Sequence, residues 1–75
     1  METGQIQVVV NGEDVKIEAG STVLDLIAKL ELKPERVAIE HNGSILARSE
    51  WARFLLEDSA RLEIVHFVGG GIGCV

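Results

Sequence analysis

Apolar and polar positions alternate with a period of two over residues 5–10, where Ile6, Val8 and Val10 interleave with Gln5, Gln7 and Val9. That alternation predicts a strand from Gln5 to Val10. Asn11-Gly12 follows, a dipeptide that tolerates positive φ at both positions and so closes tight hairpins. Val15 and Ile17 then alternate with Asp14, Lys16 and Glu18, predicting a second strand that returns antiparallel and ends at Ala19-Gly20. The period then changes. Val23, Leu24, Ile27 and either Leu26 or Leu30 recur at spacings of three and four, which predicts a helix with one apolar face. Either Ser21 or Thr22 caps its N-terminus, and Asp25 falls in the first turn, where a carboxylate suits the helix dipole. Lys29 sits toward the other end, where a cation is favoured, and Pro34 stops any continuation.

Period two returns at Arg36 to His41, with Val37 and Ile39 on one face and Ala38 and Glu40 on the other. Asn42-Gly43 is a second hairpin signal, leading to a short strand at Ile45-Leu46. Ser49 to Leu55 reads as a short helical or irregular connection, Glu57-Asp58-Ser59 as a turn, and Arg61 to Phe67 as the final strand. This order predicts an α+β domain: one main helix packed across a mixed sheet of four to five strands. A long crossover separates the final strand from the first, so the two can pair in parallel. That is the β-grasp, or ubiquitin-like, arrangement. It is expected to occupy residues 1–68, with a flexible glycine-rich tail over 69–75.

A length of 75 residues allows one domain and a modest core. The longest apolar runs, Val8-Val9-Val10 and Ile64 to Val68, fall far short of the roughly 20 residues that span a bilayer. No basic-then-apolar leader suggests export, so the expected location is the cytoplasm. A net charge of −5 disfavours nucleic acid and anionic lipid and favours a partner with a basic docking surface. The same charge also keeps a small protein soluble. Cys74 is the single cysteine and makes no internal disulfide.

The candidate chemistry lies at the C-terminal end. Val65 and Phe67 share the face of the last strand opposite Leu62 and Ile64, and Val9 joins them from the neighbouring first strand. The open face of a one-sided sheet should be polar, so an apolar patch there suggests a protein-docking surface, with His66 flanking it, unless a loop or a second copy covers the patch or it is incidental. The patch leads into Val68-Gly69-Gly70-Gly71. Three consecutive glycines carry no side chain to pack, and ordering each residue costs about 1–2 kcal/mol. Such a run is a poor structural element but fits a narrow enzyme channel; composition alone favours a disordered end. It lacks the lysine and following helix of a phosphate-binding loop. His41, His66 and Cys74 match no zinc spacing, and no Ser/His/Asp set is visible, so neither a metal site nor a catalytic site is expected. Trp51 and Phe54 read as core fillers or an interface anchor.

Five segments carry a resemblance to a known family: Val10-Asn11-Gly12-Glu13, Gly20-Ser21-Thr22-Val23, Ala38 to Gly43, Leu46-Ala47-Arg48-Ser49-Glu50-Trp51, and Val65 to Gly71. In this order and at this length the chain resembles the thiamine-biosynthesis sulfur carrier proteins, relatives of ubiquitin and of the molybdopterin synthase small subunit. The Arg48 to Trp51 segment favours the thiamine branch. The resemblance implies a carrier rather than an enzyme. A partner adenylating enzyme, using ATP and magnesium, activates the terminal glycine carboxylate. A sulfur donor then converts it to a thiocarboxylate, which supplies sulfur to a thiazole synthase. The chain itself binds no cofactor. Family members end at the double glycine, whereas this sequence continues with Ile72-Gly73-Cys74-Val75. The β-branched Val75 fits a glycine-shaped channel badly, so a peptidase is expected to cut after Gly71, or alternatively after Gly70. Cys74 then belongs to a discarded tail, unless it accepts sulfur or forms an intermolecular disulfide. Two other readings keep the fold: a carrier for cysteine or secondary-metabolite synthesis, and a protein modifier joined through Gly71 to lysines.

Overall fold

The computed structural model describes residues 4–66. Phe67, Gly69, Gly70 and Gly71 lie outside the described residues, as do the expected domain boundary at residue 68 and the Ile72 to Val75 segment. Five strands and one helix follow in order: β1 (Gln5–Val10), β2 (Glu13–Glu18), α1 (Val23–Lys29), β3 (Val37–His41), β4 (Ser44–Leu46) and β5 (Arg61–His66), with 3₁₀ turns at Pro34–Arg36 and Arg48–Glu50. The strands form a single sheet in the order β2-β1-β5-β3-β4. β1 and β5 run parallel, and every other neighbouring pair is antiparallel. One helix on a five-stranded mixed sheet of this order is the β-grasp fold.

Both Asn-Gly hairpins form. Asn11 and Gly12 have φ of 52° and 83°, and Asn42 and Gly43 have 54° and 82°. Positive φ at both central positions gives the turn whose twist matches that of the flanking strands. The first turn sets the β1–β2 register from Val10↔Glu13 back to Gln5↔Glu18.

Helix α1 has seven residues and so is about 10 Å long, whereas a six-residue strand spans about 20 Å. It covers only part of the inner sheet face. Val23, Leu26 and Ile27 supply its buried side, packing on Val8, Val10, Ile17, Val37, Ile39, Leu62 and Ile64. Trp51 and Leu56, both buried, fill the rest from the connection before β5. The one polar atom of Trp51 is satisfied there, since Nε1 donates to the Leu46 carbonyl at 3.1 Å. Trp51 is thus a core residue, and Phe54 packs against the core at its edge.

The helix differs from expectation in three ways. Thr22, not Ser21, is the N-cap: its Oγ1 accepts from the Asp25 N–H at 3.2 Å, and Asp25 Oδ2 accepts from the Thr22 N–H at 2.8 Å. This is a reciprocal capping box. Leu24 is 40% exposed, because the buried stripe runs through Val23, Leu26 and Ile27 and leaves Leu24 on the flank. The helix also stops at Leu30, with Glu31 at φ 60°, before Pro34 can act. Pro34 instead opens the following 3₁₀ turn, which takes Arg36 out of β3.

A helix this short is unstable alone and depends on its cap and its packing. Thr22→Ala or Asp25→Ala should each lower stability in urea unfolding by about 1 kcal/mol. Trp51→Ala should cost about 3–5 kcal/mol, enough to unfold much of a domain this small.

Candidate functional site

β5, whose last residue His66 stands three positions before Gly69 in the sequence, is the middle strand of the sheet. On one side, β3 pairs with β5 along its length, from His41↔Leu62 to Val37↔His66. On the other side the parallel ladder with β1 has only two registered pairs, Val9↔Arg61 and Val10↔Leu62, because β1 turns away at Asn11-Gly12. Local groups extend that ladder at both ends. At the start, Asp58 Oδ1 accepts from the Gln7 N–H at 2.9 Å and the Ser59 N–H donates to the Gln7 carbonyl at 2.6 Å. At the far end, Asn11 Oδ1 accepts from the Ile64 N–H at 2.7 Å and Asn11 Nδ2 donates to the Ile64 carbonyl at 3.1 Å. β5 is therefore held on both edges to within two residues of His66, where the described chain ends.

The expected docking residues are not brought into one patch. Val65 lies on the open face, 47% exposed, opposite Ala38. Val9 shares that face but sits across from Arg61, four residues earlier along β5, which places it about 13 Å from Val65. His66 alternates onto the helix side with Leu62 and Ile64, at the rim of a groove with Val15, Leu30 and Leu32. The fourth residue, Phe67, lies outside the described residues. Sequence reasoning passed over Ile45, which is 71% exposed and projects on the open face beside Glu40. A three-residue strand shows no alternation from which its outward face could have been read.

Of the expected non-ligands, His41 stacks edge-on against Phe54 with ring centroids 4.9 Å apart. Among the described residues, no three His, Cys, Asp or Glu side chains gather as metal ligands. Arg48 lies over Trp51, 5.6 Å from the ring centroid, so the arginine–tryptophan segment serves packing at the core edge. Among the described residues, no helix is long and apolar enough to cross a membrane.

A family model described as the ThiS family matches residues 8–71, from β1 to the third glycine. The chain belongs to the ThiS family. The sulfur carrier protein ThiS of Bacillus subtilis is 40% identical over 62 residues, covering 81% of this chain and 94% of that protein. The thiazole synthase of Magnetococcus marinus is 39% identical over 61 residues, again 81% of this chain, but the chain spans only 19% of that longer protein. A second thiazole synthase, from Paramagnetospirillum magneticum, is spanned to 20% of its length. Among solved structures, the thiamine biosynthesis protein ThiS of Geobacter metallireducens superposes with a TM-score of 0.74 at 28% identity, covering 88% of this chain and 100% of that one.

The open face of this ThiS-family chain sets two acidic residues in register, with Arg61 lining the same depression. Glu40 on β3 and Glu63 on β5 are register partners. Like charges directly opposite each other destabilise a sheet by about 0.2–1 kcal/mol. Ile45 flanks the pair on one side and the Val65–Ala38 pair lies one repeat along the strands. Glu63→Gln should therefore raise stability in urea unfolding by a few tenths of a kcal/mol at low salt, and the gain should shrink as salt screens the repulsion.

Proposed function

We propose that this chain is a sulfur carrier of thiamine biosynthesis, acted on by other enzymes rather than catalysing a reaction itself. One observation carries the reading: the family match runs off the central strand through Gly69 and Gly70 and ends at Gly71. The similarity to a named sulfur carrier over nearly that protein's whole length supports it. The two thiazole synthases that contain a similar segment support the thiamine branch and a thiazole synthase as the recipient of the sulfur.

The chemistry follows from the poor reactivity of a carboxylate, whose charge is delocalised over two oxygens. In the proposed cycle the Gly71 carboxylate attacks the α-phosphorus of ATP in the partner's site. Pyrophosphate leaves and an acyl adenylate remains, with magnesium neutralising the phosphate charge there. A sulfide-level sulfur from the donor then attacks the acyl carbon and AMP leaves. The product is a thiocarboxylate, a sulfur nucleophile held covalently on the carrier. Gly69 and Gly70 let a side-chain-free backbone thread the channel. Because Ile72 to Val75 follow Gly71, a peptidase must first expose the Gly71 carboxylate.

Docking in this proposal uses the open sheet face. Val65 lies nearest the departing chain, Ile45 and Val9 stand at the flanks, and the Glu40–Glu63 pair faces a basic surface of the adenylating partner. A like-charge pair that costs stability in the free protein is relieved when a cation is brought to it. His66 flanks from the helix side, and Phe67 follows it in the sequence.

A chain ending at Gly71, mixed with the adenylating enzyme, Mg-ATP and a sulfide source, should gain the mass of one oxygen replaced by sulfur. The chain ending at Val75 should not gain it without a peptidase. Absence of any ATP-dependent product on the Gly71-ended chain overturns the carrier reading. In the same assay Val65→Asp should raise the KM for the carrier about tenfold, the loss expected of one central apolar contact, while the domain still unfolds cooperatively in urea with a loss of about 1 kcal/mol.

A further inference from the structure

Asn11 does more than a hairpin turn requires. The Asn42-Gly43 turn is built with nearly the same angles, and among the described residues it has no strand-bridging side-chain amide. At Asn11 the carboxamide presents one donor and one acceptor, as a peptide group does, and pairs both backbone groups of a residue 53 positions away. It thereby stands in for the next residue of β1, which has turned away. Backbone groups facing a given neighbour recur at every second residue of a strand. The Leu62 carbonyl is met by the Asn11 main-chain N–H at 3.0 Å, and Ile64 is met by its side chain. The next such position is His66, the last described residue. Among the described residues, Asn11 thus supplies the last rung on this edge.

We propose that Asn11 is a positioning residue for acyl activation. Its carboxamide clamps the central strand at Ile64 and, with the β3 pairing at His66, holds in the sheet the described end of the strand from which the terminus is delivered to the partner's active site. This rests on the carrier reading above. The clamp lies in the plane of the sheet rather than on the open face where Val65 and Ile45 project, so it governs delivery of the terminus and not docking. Its loss lowers kcat for adenylation and leaves the KM for the carrier in place. A side chain acting only through stability gives no such split.

The test uses the chain ending at Gly71 with the adenylating partner and Mg-ATP, read as pyrophosphate release against carrier concentration. Asn11→Gly keeps the positive φ of the turn and removes both side-chain bonds; Asn11→Asp keeps an acceptor for the Ile64 N–H and loses the donor to its carbonyl. Asp58→Ala removes the corresponding bond at the opposite end of the same ladder and serves as the control for stability alone. Asn11→Gly should lower kcat about tenfold with KM changed less than about twofold, since small misplacements of a reacting group cost rate steeply. Asn11→Asp should fall between it and wild type, and Asp58→Ala should match the wild-type kcat even where its urea midpoint drops. If Asn11→Gly does not fold, Asn11→Asp carries the same comparison with Asp58→Ala. A wild-type kcat in the Asn11 variants, or an equal loss in Asp58→Ala, overturns this proposal while the carrier reading stands. A wild-type chain that is never activated removes the carrier reading itself.

Discussion

The structure depends on placing its last strand in the middle of the sheet. β5 enters between β1 and β3, and its parallel pairing with β1 joins positions more than 50 residues apart in sequence. That ladder is short, because β1 must reverse at Asn11-Gly12 to form the hairpin. Its two registered pairs are lengthened by hydrogen bonds from Asp58 and Ser59 at one end and from Asn11 at the other. Each such bond contributes about 0.5–1.5 kcal/mol. Together they keep a central strand paired on both edges as far as Ile64, and β3 continues the pairing to His66. A terminus launched from an edge strand would lack that support on one side.

Burial follows from the same arrangement. The inner faces of β1, β3 and β5 must be covered, and a seven-residue helix is too short to do it. The chain answers with Trp51 and Leu56 in a segment that has little regular structure of its own. The segment is pinned to the helix start: the Val23 and Leu24 N–H groups donate to the Phe54 and Trp51 carbonyls, and Leu56 N–H donates to the Ser21 carbonyl. The connection is therefore part of the core lid, and the indole fills volume that another helical turn would have occupied.

The outer face obeys a different demand. It holds exposed Ile45 and Val65 and a Glu40–Glu63 pair in direct register. In the proposed function this face is the one that docks, next to the glycine run that follows the central strand in the sequence. The proposed partner meets the sheet while receiving the chain end.

Local sequence determined the strands, both hairpins and the helix, because alternation and Asn-Gly turn chemistry act over a few residues. Those patterns, with a long crossover between first and last strands, also led to the mixed sheet and to the glycine run as the candidate site. Tertiary structure alone decided which residues meet. It turned Leu24 outward, halted the helix at Leu30, separated Val9 from Val65, placed His66 on the opposite face and set Glu40 against Glu63. It also joined Asn11 to Ile64. The physical reason is that the register between distant strands is a property of pairing and shared burial across the whole sheet. A residue's neighbours along the chain carry its periodicity but not the identity of the residue that will stand opposite.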